Sequence, residues 1–161
     1  MNAAEHDKGR DSGQTQRKAA MAVLAHATAD EIAGQLAAIS LPAHENLREA
    51  ENGLVMLRGR IGGDGRPFNL GEMTVTRAVV QLLSRNGEVE QTGFGHVAGR
   101  SPRCAELVAL FDALLQDATR RKILVETVVV PLAAQQQAAK RAQEAKVAAT
   151  KVNFFTLARG E

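Results

Sequence analysis

The spacing of apolar and polar residues changes character along this chain, from a helical rhythm in the first third to alternation in the middle and back again. Residues 1–13 have neither rhythm; they are polar, with glycine and serine among them, and read as a disordered leader. Residues 14–27 are rich in Ala, Met, Leu and Lys/Arg, which favour a helix. Thr28-Ala29-Asp30-Glu31 has the form of a capping box and opens a second helix, with Ile32, Leu36 and Ile39 on one face. Pro42 follows its end, where a proline cannot extend the helix.

Alternation takes over after Gly53. Residues 54–61 mix apolar side chains with Arg58 and Arg60, as a strand does when its charged side meets solvent or a partner. Gly62, Gly63, Asp64 and Gly65 make a tight turn. A longer strand over 70–82 places Met73, Val75 and Val79 on one face and Thr74, Thr76 and Ala78 on the other. Asn86-Gly87 is a hairpin signal, and residues 92–98 supply the returning strand, so the sheet is antiparallel. Ser101-Pro102 starts a helix, with a hydroxyl at the N-cap and proline in the first turn, and Leu107, Leu110, Phe111 and Leu114 form its apolar face. Residues 123–132 hold four valines, a strand preference, but they run into the Ala/Gln/Lys-rich stretch 133–149. Both pieces are read as helix, interrupted near Pro131. Residues 151–158 form a short terminal strand whose Phe154 and Phe155 point to opposite faces. The expected fold is α+β: one domain over residues 14–161, a small antiparallel sheet flanked by helices.

Length and composition narrow the function classes. A chain of 161 residues suits one domain that buries about two-thirds of its unfolded surface, without a disulfide or metal to hold it. Cys104 is the only cysteine, the first twenty residues lack a signal-peptide core, and no apolar run reaches the length of a membrane span. A cytoplasmic protein is expected, with no membrane partner. Lys and Arg number 20 against 18 acidic residues, too even a balance to imply a polyanion. With no Trp, no Tyr and five Phe, the chain has almost nothing on which to stack bases, so nucleic acid is not an expected partner.

Motifs for catalysis fail one by one. A P-loop requires glycine at its sixth position, but counting from Gly59, Gly62 or Gly63 gives Asp64, Pro67 or Phe68. Gly93-Phe94-Gly95-His96-Val97-Ala98 fits the permissive dinucleotide pattern, yet it lies in a strand rather than on a turn opening a helix. Cys104 falls in a first helical turn, where the dipole lowers a thiol pKa, but no base can be assigned to it, and an inert, buried thiol is the better reading. His6, His26, His44 and His96 lack metal-ligand spacing, and Ser101 lacks a nucleophile elbow. Neither catalytic residues nor a cofactor or metal site is expected in this chain. What survives is a set of arginines on strands or beside glycines: Arg58, Arg60, Arg66, Arg77 and Arg100. Guanidinium forks grip phosphate or carboxylate, and glycines let backbone amides approach an anion. Arg60, Gly62, Gly63, Gly65, Arg77 and Arg100 are therefore candidate anion or partner contacts, with a solvated sheet face as the plain alternative. Taken furthest, they suggest a free-standing anion- or nucleotide-binding enzyme.

Several blocks, in order, resemble one family. They are Gly53-Leu54-Val55, Gly62-Gly63-x-Gly65 with Phe68, Thr74-x-Thr76-Arg77-Ala78, Gly99-Arg100, Ala105-Glu106, Asp112-Ala113-Leu114, Glu126-Thr127 and Pro131-Leu132. The chain closes on Val152-Asn153-Phe154-Phe155-Thr156-Leu157-Ala158-Arg159-Gly160, the most specific block. Together they resemble the G subunit of the bacterial carbon–phosphorus lyase core complex, over nearly the whole chain. Asn153 departs from the aspartate expected there. The resemblance implies a non-catalytic subunit that assembles with the H, I and J subunits. With H, I and the L protein it would support a transferase that makes α-D-ribose 1-methylphosphonate 5-triphosphate from ATP and methylphosphonate. It places the nucleosidase chemistry on I and the radical S-adenosylmethionine and iron–sulfur chemistry on J. Phe154, Phe155 and Arg159 join the candidate partner contacts on the same ground.

Overall fold

Helix α3 (Pro102–Leu114) is apolar on nearly every side, and the rest of the protein is arranged around it. In the computed structural model, which describes residues 3–37 and 39–150, Cys104, Ala105 and every residue from Val108 to Leu114 are buried. A helix apolar all round is a core helix. Against it pack α1 (Ala3–Leu24), through Ala20 and Leu24, and α2 (Ala29–Leu36), through Ile32 and Leu36. Beyond α4 (Ala118–Leu124) the helical rod continues through a wide π turn, Val125–Val129, into α5 (Val130–Ala149). The proline at 131 has no N–H and its ring crowds the carbonyl four residues back, and the widened turn lies just there. So the segment of four valines is helical, and its interruption is the wide turn.

The sheet is a three-stranded antiparallel meander, β1 (His44–Arg60), β2 (Pro67–Leu83) and β3 (Val89–Ala98), in the order β1-β2-β3. Thr76, Ala78, Val80 and Leu82 of β2 are buried, as are Gly93, Gly95 and Val97 of β3, on the face that meets α3. The glycines set how close the helix comes. A methyl group at Gly93 would collide with the carbonyl oxygen of Ala109, and one at Gly95 with that of Ala105. Ala105, Ala109 and Ala113, four apart, present the matching small face of α3. The Gly-x-Gly of β3 thus serves helix–sheet packing.

One ion pair ties α1 to this arrangement. Asp112, at 4% exposure, accepts Arg17 Nε–H at 2.6 Å and Arg17 Nη2–H at 2.7 Å, and its Oδ2 also accepts the Phe94 N–H at 2.9 Å. Gln116 donates to the Thr92 carbonyl at 2.6 Å. Side chains of α3 and the turn after it therefore pair with two backbone groups in the middle of β3, the Phe94 N–H and the Thr92 carbonyl. The carboxylate hydrogen bond raises the Arg17 pKa further, outweighing the opposing effect of burial, so the guanidinium stays charged. At the β3–α3 corner the buried Thr76 hydroxyl donates to the Gly99 carbonyl at 2.7 Å and accepts the Ser101 N–H at 3.0 Å.

Several boundaries depart from the sequence reading. Helix α1 starts at Ala3, so it runs through most of the stretch read as a disordered leader; the polar composition of 1–13 hides helix-compatible residues because no apolar face marks them. Strand β1 begins at His44, and its first ten residues escape notice because they are mostly charged or polar and exposed. The Thr28 capping box forms as expected, but Ser101 makes no side-chain cap; it gives its N–H to Thr76 instead. The terminal strand read over 151–158 lies outside the described residues.

Replacing Arg17 by Ala leaves the buried Asp112 carboxylate with the Phe94 N–H as its one partner among the described residues. Losing charge-assisted hydrogen bonds of this kind costs about 1.5–3 kcal/mol, at the lower end here because Arg17 is a third exposed. The expected outcome for Arg17→Ala is a melting midpoint lower by roughly 3–9 °C by circular dichroism, with Arg17→Lys falling between it and the parent.

Candidate functional site

Strand β3 ends at Ala98, opposite Val75, but β1 and β2 keep pairing well past that point. Residues 54–60 and 67–74 form a two-stranded arm about 25 Å long at the usual rise per residue. The pairing register assigns its two faces. Val55 pairs with Met73 and Gly59 with Phe68, and the Leu70 side chain lies over Gly59; these apolar groups share the face that turns away from α3. Leu54, opposite Thr74, and Met56, opposite Glu72, lie on the reverse face. A register irregularity follows Leu57. Leu54, Met56, Ile61 and Leu70 are 63%, 49%, 77% and 62% exposed, and Val55, Leu57 and Phe68 are exposed as well. Among the described residues, apolar area is left exposed on both faces of this ribbon.

At the tip, a short 3-10 turn (Ile61–Gly63) reverses the chain. Gly62 and Gly63 have φ of 65° and 88°, a region unfavourable to residues with a Cβ. Gly65 donates its N–H to the Ile61 carbonyl at 3.0 Å, and Arg60 donates to the Gly65 carbonyl at 2.9 Å. Arg60 is thus a brace for the turn. Arg58 and Arg66 lie nearby, exposed, and have no ion-pair partner among the described residues.

The other arginines are elsewhere. Arg77 is on the open face of the sheet, its Nε 2.6 Å from Glu51, which also meets Arg48 at 3.1 Å. Ten residues of β2 separate it from the arm's end at Pro67, roughly 30 Å along the strand. Arg100 is exposed just after β3. The candidate arginines do not converge on one anion. Phe154, Phe155 and Arg159 lie outside the described residues.

Among the described residues, no other feature assembles a reactive group. A groove of about 720 Å³ between α1 and α4 is walled by Ala19, Val23, Val125 and Val129, with Arg121, Lys122 and Glu126 at its rim. Arg121 is already engaged, donating to the Leu115 and Gln116 carbonyls at 2.7 and 3.2 Å. Among the described residues no three His, Cys, Asp or Glu side chains are placed to hold a metal ion, and no helix is long and apolar enough to cross a membrane. Cys104 is buried, its thiol 3.5 Å from the Ala27 carbonyl, and burial pushes its pKa up, away from the thiolate.

Against known proteins, residues 15–160 match the family model described as phosphonate metabolism protein PhnG. The chain belongs to the PhnG family. Among curated relatives, it is 45% identical over 152 residues to the alpha-D-ribose 1-methylphosphonate 5-triphosphate synthase subunit PhnG of Rhizobium meliloti (strain 1021), covering 94% of each chain. The blocks that carried the resemblance now have places. The glycine block is the arm's turn, Thr76 is the β3–α3 corner, and Asp112 is the partner of Arg17.

Sequence reasoning missed the two features that organise this family member. Asp112 was visible as one carboxylate inside an apolar run from 108 to 114, a position where an acid needs a partner. The arm was hidden because its apolar alternation looks like that of any half-buried strand; only the end of β3 at Ala98 reveals that the third strand does not reach it.

Two outcomes follow. Cys104 should resist a disulfide reagent at pH 8 in the native protein and react at once in guanidinium. Because its folded pKa lies above its unfolded one, the thiol favours folding below the unfolded pKa and loses that contribution as pH rises through the folded value. Arg77→Ala removes a half-exposed pair worth at most about 1 kcal/mol, so the melting midpoint should move by less than about 4 °C.

Proposed function

We propose that this chain is a non-catalytic subunit of α-D-ribose 1-methylphosphonate 5-triphosphate synthase and acts in phosphonate catabolism in the cytoplasm. The family and the 45% identical synthase subunit support this reading. The structural observation that carries it is the arm, a ribbon with exposed apolar residues on both faces that extends past the end of the third strand. Two-stranded ribbons are marginal in water by themselves, so an arm of this kind suits a protein that works inside an assembly. Helix α5 points the same way. All residues over 137–149 are exposed, and an unsupported helix of that length is also marginal.

The partners we assign are the H, I and J subunits of the carbon–phosphorus lyase core complex, with the L protein joining for the transferase step. On this reading the adenine-displacing chemistry belongs to a partner, and this chain holds or shapes the partner's site without a cofactor of its own. The rival, a free-standing anion- or nucleotide-binding enzyme, would need its arginines gathered at one place, whereas Arg60 braces a turn and Arg77 pairs with Glu51 far from it.

The test is reconstitution. The purified chain alone should neither bind ATP or methylphosphonate by calorimetry nor convert them. A mixture of the H, I and L proteins with ATP and methylphosphonate should form the ribose triphosphate product only when this chain is added. Turnover by the chain alone would sink the proposal, as would full activity of the mixture without it.

A further inference from the structure

Building on the reading of the chain as a synthase subunit, we propose that the arm is inserted between two apolar walls of a partner subunit, with Arg58 and Arg66 near its tip meeting carboxylates in that cleft. The two faces decide between insertion and simple contact. Val55 and Leu70 are exposed on one face, Leu54 and Met56 on the other. A ribbon about 25 Å long and two strands wide presents on the order of 300 Å² per face. One face alone falls far short of the roughly 800 Å² per partner of a standard interface, whereas both faces, both edges and the tip together approach it. Packing against a second copy of this chain by a two-fold axis would cover one face and leave the other in water.

The charges favour the same occupant. Between residues 54 and 74 the chain carries Arg58, Arg60 and Arg66 against Asp64 and Glu72. With Arg60 turned back onto Gly65, Arg58 and Arg66 remain to be met from outside. Charged groups that lose water on insertion must be paired, so the cleft has to supply carboxylates near the tip. The outer edge of β1, which no strand pairs with among the described residues, adds backbone groups along the arm that a cleft wall can satisfy by strand addition.

The experiment uses the full chain co-produced with the H, I and J subunits, followed by size-exclusion chromatography. Three variants are compared with the parent: Leu70→Glu on one face, Met56→Glu on the other, and Arg58→Glu with Arg66→Glu near the tip. All the substituted residues are exposed, so each variant should keep the parental circular-dichroism spectrum. Each is expected to weaken co-elution at least tenfold. If only one of the two face variants disrupts assembly, the arm lies on a surface and insertion is wrong. If the charge reversals assemble like the parent, the acidic cleft is wrong. A parent chain that dimerises alone, with the dimer broken by Leu70→Glu, would assign the arm to a second copy and overturn the inference. A parent that assembles with none of the three subunits would overturn the subunit reading itself, and this inference with it.

Discussion

The distance between α3 and β3 is the constraint on which the rest depends. Two glycines on the strand and three alanines on the helix let the backbones approach until one extra methyl would strike a carbonyl oxygen. At that separation the Asp112 carboxylate reaches the strand's own N–H, and Arg17 reaches the carboxylate from a third element. A larger side chain at Gly95 would therefore do more than crowd the core. It would lift the acid from the strand and detach α1 from both, so packing and polar pairing stand or fall together.

This arrangement spends all of the helices on one side of the sheet. Behind β2 the reverse face is left with Val75, Val79 and the exposed Phe94 beside the Arg77–Glu51–Arg48 chain of charges. Farther out, the arm loses even the support of the third strand. The protein thus divides into a tightly packed half around α3 and an open half that begins at the sheet and ends at the glycine turn. The PhnG family assignment gives that division a meaning, because a subunit can leave apolar surface to be finished by its neighbours.

The elements with a strong local signal were legible in the sequence: the Thr28 capping box, the Asn86-Gly87 turn, the alternation of β2 and the apolar face of α3. The four valines before Pro131 were read as helix despite their strand preference, because the helical stretch after them decides their state. What stayed hidden depended on neighbours. The ten residues at the start of β1 are strand because β2 is beside them, and the helix from Ala3 has no apolar stripe to announce it. Arg58, Arg60, Arg66, Arg77 and Arg100 do lie on or beside strands and glycines, but their separation along the ribbon could be measured only once the register was known. The Gly-x-Gly of β3 lies in a strand, as its alternation predicts, and its role in packing required the helix above it.

The two edges of the sheet differ in a way that bears on how copies of this protein can associate. A sheet grows without limit only if each molecule offers one edge to the molecule before it and another to the molecule after it. In β3 the Phe94 N–H and the Thr92 carbonyl are already taken by Asp112 and Gln116, while among the described residues no strand pairs with the outer edge of β1. Edge-to-edge addition is therefore hindered in the middle of β3 and easier along β1. The same hydrogen bonds that anchor α3 thus also blunt the β3 edge as a template for continued sheet growth.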